Sequence, residues 1–342
     1  MLFIFVGCDN GNGSDPNEPI DTNYTNVDPP FIESVTGPGQ LIVGNEAQFY
    51  CEILSDAEIL RKSWNLDLSA GGYFYPSSVT EGGFTPSGLR PDPFVQTDTG
   101  EAPTFNYSKR GKYTAALEIE DADGYIERSG TMVSVIPETA DSAGVHIVRA
   151  ASTDTVLGED FDFLRFGLIA DNVVPACVYA DGYDAFSAYS YIDCDISPGY
   201  RIVRTKVETG KRIGIEGSGW FVARISVDFD VEGALHLWGG GSEDMVEYAA
   251  YITVQHTDGL PRTHYIYSKS LNSSSLDEAF YLNGNHVVED TLNVMGNEEY
   301  EFWFGVETFQ YLAPSDSSGS AVCFDDAVAP TKLNRVMFTL EK

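Results

Sequence analysis

Residues 219–231 read Gly-Trp-Phe-Val-Ala-Arg-Ile-Ser-Val-Asp-Phe-Asp-Val. Every second side chain from Phe221 to Val231 is apolar. The alternate positions start with Trp220 and Val222 and are polar from Arg224 onward. Successive side chains of a β-strand point to opposite faces, so this alternation predicts a strand with one buried face and one exposed face. The stretch therefore indicates an antiparallel sheet that packs on one side.

The same alternation recurs along residues 145–342, where no stretch has the apolar period of a long helix. Gly, Asn, Asp and Ser separate the alternating stretches, as they do between strands. The other predicted strands are 161–169, 200–207, 234–238, 248–254, 263–267, 287–294, 299–308 and 333–341. We expect about eight or nine strands in a two-sheet sandwich of jelly-roll type, with residues 292–302 forming a hairpin.

Residues 31–137 carry strand and turn signals of their own. From Tyr113 to Ile119 every second residue is apolar, which predicts another strand with a buried face. Residues 121–124, Asp-Ala-Asp-Gly, indicate a turn because Gly readily adopts a positive φ. Trp64 lies where the core of a sandwich needs one large aromatic side chain. This part of the chain is therefore predicted to fold as a separate β-sandwich.

The order of these residues resembles that of a polycystic-kidney-disease (PKD) repeat, which is an immunoglobulin-like β-sandwich. The resemblance rests on Trp64-Asn65 in one strand, on Tyr107, Gly111 and Tyr113 in another, and on Asp121 and Gly124 in a hairpin. An insertion at residues 70–103 replaces the compact turn that the family has after its Trp strand. The resemblance implies an immunoglobulin-like fold for residues 31–137.

The N-terminus has the pattern of an exported, lipid-anchored protein. Residues 1–8 resemble the end of a signal peptide, and Phe5-Val6-Gly7-Cys8 resembles a lipobox, which implies acylation of Cys8. Residues 9–30 hold five acids, five Asn and four Pro, with almost nothing to bury. Such a segment does not offset its ordering entropy, so it is predicted to be a disordered acidic tether.

Composition limits both the domain count and the class of partner. The chain has 342 residues and a formal net charge of −32, from 20 Lys and Arg against 52 Asp and Glu. At ~100–200 residues per domain, this length predicts two or three domains, and we place a linker at residues 138–144. The charge argues against nucleic acid as a partner and against electrostatic docking on anionic lipid. Contact with a membrane is therefore expected only through a lipid anchor.

The cysteines leave two interpretations open. Cys177 and Cys194 bracket a Tyr-rich segment and are able to form a disulfide in an oxidising compartment. The alternative is that the cysteines other than Cys8 are small buried apolar residues. The chain contains no C-x-x-C motif, which argues against zinc ribbons and thioredoxin-like redox sites.

The sequence shows no catalytic motif, and we assign no catalytic residue. The five His are scattered, and neither H-E-x-x-H nor G-x-S-x-G nor a Walker motif is present. Calcium is the one cofactor that the acids suggest, with Asp121, Asp123, Asp160 and Asp162 as candidate ligands. The sequence favours a hairpin turn at Asp121 and a solvated strand entry at Asp160 over calcium ligation, so we assign no metal site.

Aromatic residues are the better indication of function. Trp220 and Trp303 fall on the polar faces of their predicted strands, and Tyr189 and Tyr191 fall in a predicted loop at 178–193. Exposed aromatic rings of this kind stack on sugar rings in glycan-binding sandwiches. The alternative is that each Trp packs under a loop or against the other domain.

These observations favour a non-enzymatic lipoprotein on the extracellular face of the cell envelope. A PKD-like spacer would carry a β-sandwich that binds an extracellular glycan or protein. One alternative is a secreted glycoside-active enzyme, or its accessory subunit, with a hidden pair of carboxylates. The other is a purely structural envelope protein.

Overall fold

The structure, a computed structural model, describes residues 30–66, 98–138, 144–150, 152–170, 176–193, 201–238, 243–256, 259–272, 278–313, 319–323 and 331–342. These residues form β-sandwich sheets, with one 3₁₀ turn at Gly158–Asp160 as the helical element among them. None of the described residues belongs to a helix long and apolar enough to span a bilayer. The predicted all-β class is therefore confirmed.

The first module contains eight strands within the described ranges. They are β1 (Phe31–Thr36), β2 (Gln40–Ile42), β3 (Glu46–Gln48), β4 (Tyr50–Leu54), β5 (Ile59–Asn65), β6 (Thr104–Asn106), β7 (Arg110–Asp121) and β8 (Ile126–Ile136). β7 pairs with β5 and β8, and β2 joins β8 in parallel. β1 pairs with β4, and β3 with β6. Most of the predicted insertion, at 70–97, lies outside the described residues.

The core of this module forms around the two features that the sequence singles out. Trp64 is fully buried, and so are the alternating apolar residues of β7 from Tyr113 to Ile119. The Tyr113 hydroxyl donates a 2.8 Å hydrogen bond to the carbonyl of Lys109, as in the tyrosine corner of immunoglobulin-like sandwiches. The buried face predicted for this strand is confirmed.

The opposite face of β7 is also covered, which alternation alone does not predict. Glu118 is buried there and pairs with two arginines: Arg61 Nη2 lies 2.6 Å from Oε1, and Arg128 Nε lies 2.7 Å from Oε2. Both arginines come from the flanking strands β5 and β8. The buried carboxylate is therefore paired with the buried Arg128 and the exposed Arg61, and their attraction offsets part of the cost of its desolvation.

The second module contains fifteen strands within the described ranges. They are β9 (Val145–Val148), β10 (Thr153–Leu157), β11 (Phe163–Ile169), β12 (Ala176–Asp181), β13 (Ala185–Asp193), β14 (Arg201–Ile215), β15 (Trp220–Val231), β16 (Ala234–Trp238), β17 (Met245–His256), β18 (Arg262–Asn272), β19 (Glu278–Tyr281), β20 (Gly284–Met295), β21 (Glu299–Leu312), β22 (Gly319–Cys323) and β23 (Thr331–Glu341). The prediction of eight or nine was too low. The additional strands are mostly short ones, such as β9, β19 and β22, which offer too few alternating residues to be recognised.

Two sheets face each other across the second core. One has the strand order β11-β14-β21-β17-β18, with β9 parallel to part of β14. The other contains β20-β15-β23 and continues through β13, β22, β16 and β19. Residues 221, 223, 225, 227, 229 and 231 of β15 are all buried between the sheets, as predicted.

The connection between β20 and β21 differs from the predicted hairpin. β20 pairs with β15 in one sheet, whereas β21 pairs with β14 and β17 in the other. The chain crosses between the sheets through Gly296, Asn297 and Glu298, and Asn297 has a φ of 62°. Alternating residues on both sides of a short turn therefore do not distinguish a hairpin from a crossing between sheets.

The two modules are joined by direct strand pairing. Along one edge of β7, β5 pairs with residues 116–121 and β12 of the second module pairs with residues 110–113. One continuous sheet thus runs through both modules. Residues 139–143 of the predicted linker at 138–144 lie outside the described ranges, so the linker remains a prediction.

Candidate functional site

An open groove lies at one end of the second sandwich, where five strands begin or end. Its volume is about 600 Å³, within the range of sites for small ligands. It is lined by Trp220, Ile252, Val254, His256, Gly259, Leu260, Arg262, His264, Leu292, Asn293, Met295, Glu298 and Tyr300. We call it the Trp220 groove.

The position of Trp220 follows from the first residues of β15. Its side chain is 65% exposed, whereas the next residue, Phe221, is buried. The Phe221 ring fills the space beside Gly217 and Gly296, where an added Cβ would lie 2.9 Å from the ring. The Gly296 N–H donates a 2.8 Å hydrogen bond to the carbonyl of Gly219. The backbone beneath the indole is therefore held in place, and alternation directs the ring outward.

The floor of the groove is apolar. Ile252 is buried there, and Leu292 and Tyr300 are half-buried. Leu260 lies at the rim and is 89% exposed, in the turn between β17 and β18. The Gly259 N–H in that turn donates a 2.9 Å hydrogen bond to the carbonyl of His256. Trp220 and Leu260 thus present apolar surface that no described residue covers.

Polar groups stand beside this apolar surface. The Nε2 atom of His256 lies 3.1 Å from Oε2 of Glu298, and its ring meets the Tyr300 ring edge-on at 5.4 Å. The Tyr300 hydroxyl accepts a 2.8 Å hydrogen bond from the backbone N–H of Met295. His256 ends β17 and Glu298 lies in the crossing to β21, so this pair closes one side of the groove.

A second histidine pair connects the two sheets. The Nδ1 atom of His264 on β18 lies 2.7 Å from Oδ2 of Asp290 on β20. Beside this pair, the hydroxyl groups of Thr253 on β17 and Thr263 on β18 share a 2.9 Å hydrogen bond. β17 and β18 are neighbours in one sheet. The site therefore combines an exposed aromatic face with imidazole, carboxylate and amide groups, which suits ligands with apolar faces and polar edges.

The prediction that Trp303 is an exposed stacking residue was wrong. Trp303 is 3% exposed. The Arg165 guanidinium lies over its ring at 3.6 Å, the Phe163 ring lies 5.9 Å away, and the backbone of Gly210 supports it. The indole does point away from the main core, but side chains of β11, two strands away in the same sheet, cover it.

The Tyr-rich segment is also different from its prediction. Residues 178–193 are not a loop, because β12 and β13 form a hairpin there, with a turn at Gly182–Asp184. Tyr189 and Tyr191 belong to β13, and their side chains lie outside what the structure describes. Their role in stacking remains a prediction.

The remaining predicted positions lie outside the groove. Cys177 is buried on β12 in the core of the first module, whereas Cys194 and Cys8 lie outside the described residues. The Cys177–Cys194 pairing and the acylation of Cys8 remain predictions. The groove contains none of the four candidate calcium ligands.

Each candidate calcium ligand has a local structural role or neighbour. Asp121 Oδ1 accepts backbone hydrogen bonds from Asp123 at 3.0 Å and Tyr125 at 2.9 Å, which forms the predicted turn. The Asp162 carboxylate pairs with the Lys211 ammonium at 2.7 Å. The same ammonium donates a hydrogen bond to the backbone carbonyl of Asp160, the last residue of the 3₁₀ turn. Among the described residues no three acidic, His or Cys side chains form a group suited to a metal ion.

Sequence reasoning missed His256, Leu260, Arg262 and His264. The residues 256–264 read His-Thr-Asp-Gly-Leu-Pro-Arg-Thr-His, a turn signal flanked by two histidines. The presence of a histidine on each side of this turn was the signal that could have indicated a site. Its significance depends on β15, β20 and β21, which are distant in the sequence and adjacent only in the fold.

Comparison with known proteins gives structural similarities alone. No family model matches the chain, and no curated protein matches it. The carbohydrate-binding modules of a β-sandwich superfamily are 13% identical over 88% of this chain and 97% of theirs, with a TM-score of 0.26. The Bacteroides ovatus mixed-linkage glucan protein SGBP-B, solved with a heptasaccharide, is 12% identical over 82% of this chain and 99% of its own, with a TM-score of 0.20. At TM-scores this low, the similarities assign neither a family nor a ligand to this chain.

Proposed function

We propose that this protein binds a glycan in the Trp220 groove and has no enzymatic activity. The observation that carries the proposal is the 65% exposure of Trp220 at the rim of a groove of about 600 Å³. A large apolar ring is costly to expose to water, and sugar rings have apolar faces that cover such a surface. His256, Asn293 and Glu298 line the same groove and offer hydrogen bonds to the sugar hydroxyls.

The rigid support of Trp220 favours binding. Phe221 anchors the strand in the core, and Gly296 ties the two adjoining turns together. A ring that is already oriented loses little conformational entropy when a ligand stacks on it. The groove therefore needs no large rearrangement to receive a sugar.

The single carboxylate described in the groove supports binding rather than hydrolysis. Glycoside hydrolysis ordinarily uses two carboxyl groups that flank the scissile bond. Glu298 is the one carboxylate among the described lining residues, and it is already paired with His256. We therefore propose a binding protein in preference to the enzyme alternative.

The rest of the chain fits display at a cell surface. We propose that Cys8 carries the lipid, that residues 9–30 form a flexible tether, and that the first module is a PKD-like spacer. The pairing of β7 with β12 supports the spacer role, because it fixes the groove-bearing module relative to the spacer. The glycan site would then stand at a defined distance from the tether.

A polysaccharide panel tests the binding proposal. The full chain is run by native electrophoresis through gels that each contain one soluble polysaccharide, alongside the variants Trp220→Ala and Tyr50→Ala. Tyr50 is the matched control because it is an exposed aromatic residue of the first module, outside the groove. We expect retardation of the unmodified chain and of Tyr50→Ala in at least one gel, and its loss in Trp220→Ala. Equal mobility of all three proteins in every gel would contradict the proposal.

A further inference from the structure

Arg262 differs from every other arginine that the structure describes. Each of the others has an ion pair, a hydrogen bond, a ring contact or another electrostatic interaction within the chain; they are Arg61, Arg110, Arg128, Arg149, Arg165, Arg201, Arg204, Arg212, Arg224 and Arg335. Arg262 is exposed, lines the Trp220 groove and has no such partner among the described residues. Its donors are therefore available to a ligand.

This exception is unexpected in so acidic a chain. With 52 acids against 20 bases, a guanidinium has many carboxylates to pair with. Two described carboxylates are already paired with histidines of the groove: Glu298 lies 3.1 Å from His256, and Asp290 lies 2.7 Å from His264. Each of these two acids is paired with a histidine, whereas Arg262 lines the groove without such a pair among the described residues.

The chemistry of the guanidinium specifies the class of ligand. Its planar fork of N–H donors matches the two oxygens of a carboxylate, and it also binds the oxygens of sulfate or phosphate groups. The net charge of −32 repels an anion at long range, but the Debye length at physiological ionic strength is about 8 Å. Salt therefore screens the distant acids, and an anion in contact with Arg262 interacts mainly with the groups beside it.

We propose that the Trp220 groove takes an anionic glycan, with an acidic substituent bound by Arg262 and a sugar ring stacked on Trp220. The inference rests on the proposed glycan-binding function and names its ligand class. A carboxylated sugar fits the planar fork best, and a sulfated sugar has the same charge. Both residues line the same groove, so one oligosaccharide is able to contact both.

Matched pairs of polysaccharides test this inference with the full chain. Polygalacturonate is compared with its fully methyl-esterified form, and a sulfated galactan with its desulfated form, so that charge changes and the backbone does not. We expect an acidic member to bind and its neutral counterpart to bind at least about tenfold more weakly, a difference of ~1.4 kcal/mol. The pair that shows the difference identifies carboxylate or sulfate as the recognised group.

Variants assign the effect to Arg262. Arg262→Gln is expected to reduce affinity for the acidic glycan about tenfold, with Arg262→Lys in between, because Lys keeps the charge and loses the fork. Arg149→Gln is the matched control, since Arg149 is an exposed arginine paired with Glu216 that does not line the groove. Circular dichroism of each variant confirms folding. Equal binding of acidic and neutral forms, unaffected by Arg262→Gln, would overturn the inference and leave glycan binding intact. Binding to no polysaccharide would overturn the proposed function as well.

Discussion

Tyr179 of the second module stacks on Tyr113 of the first, with ring centroids 6.2 Å apart and planes within 5° of parallel. The Lys109 ammonium lies 4.8 Å from the Tyr179 ring, and the Arg110 guanidinium donates a 2.8 Å hydrogen bond to the carbonyl of Gly182. Backbone pairing of β7 with β12 lies beneath these contacts. The junction between the modules is thus a packed core interface as well as a sheet.

Gly111 lies at this junction, where the backbone of β12 leaves no room for a side chain. A Cβ on Gly111 would collide with the carbonyl oxygen of Val178 and with the backbone of Tyr179. We expect Gly111→Val to separate β12 from β7, which lowers the melting temperature and increases the radius of gyration measured by small-angle scattering. Gly39→Ala is the control, because its added Cβ meets no atom within 4 Å. An unchanged radius of gyration in Gly111→Val would contradict a rigid junction.

Trp303 is predicted to affect stability and to leave binding intact. Its indole packs against Arg165 and Phe163. Trp303→Ala removes a buried aromatic ring and is expected to cost about 3–5 kcal/mol in the free energy of unfolding, measured by urea denaturation. The folded fraction should keep its glycan affinity, because Trp303 does not line the groove. Loss of binding without loss of stability would show that this account of Trp303 is wrong.

Asp228 is expected to make the free energy of unfolding depend on pH in the acidic range. Burial alone raises the pKa of its carboxyl, but hydrogen bonds from Asn285 and Asn334, together with Arg335, outweigh burial. The charge of Arg335, whose Nε lies 3.1 Å from Oδ2, adds to them, so the pKa of Asp228 lies below its usual value.

A carboxyl pKa that is lower in the folded state than in the unfolded state makes the protein less stable as the pH falls. The carboxylate stabilises the fold above the unfolded-state pKa of about 4, and this stabilisation is lost as pH falls through the lower folded-state pKa. Asp228→Asn should therefore reduce the free energy of unfolding at pH 7 and flatten its decline below about pH 4. Urea denaturation at a series of pH values measures both effects. Parallel curves for the two proteins would contradict the assignment.

The sequence predicts those features that depend on neighbours along the chain. Alternation placed the apolar residues of β15 in the core and Trp220 outside it, because the period of a strand is a local property. The same reasoning failed for Trp303, since its exposure depends on Phe163 and Arg165, which lie more than a hundred residues away. The face of a strand on which a side chain lies follows from the local sequence, whereas the residues that cover that face are determined by the tertiary fold.

The groove was hidden from the sequence for the same reason. Its two histidines match no catalytic or metal-binding motif, and their partners Glu298 and Asp290 are two among 52 acids. The pairing of β12 with β7 is also non-local, so the Tyr-rich segment resembled a loop. Only the packing of two sheets brings these residues together.

The central claim is that Trp220 binds a sugar ring. Isothermal titration calorimetry of the full chain with the glycan identified by the gel panel tests it most directly, using Trp220→Ala and the control Tyr50→Ala. Loss of an exposed stacking surface at the centre of a site is expected to weaken binding by at least about tenfold, while Tyr50→Ala keeps the affinity of the unmodified chain. The same dissociation constant for Trp220→Ala and the unmodified chain would contradict the claim.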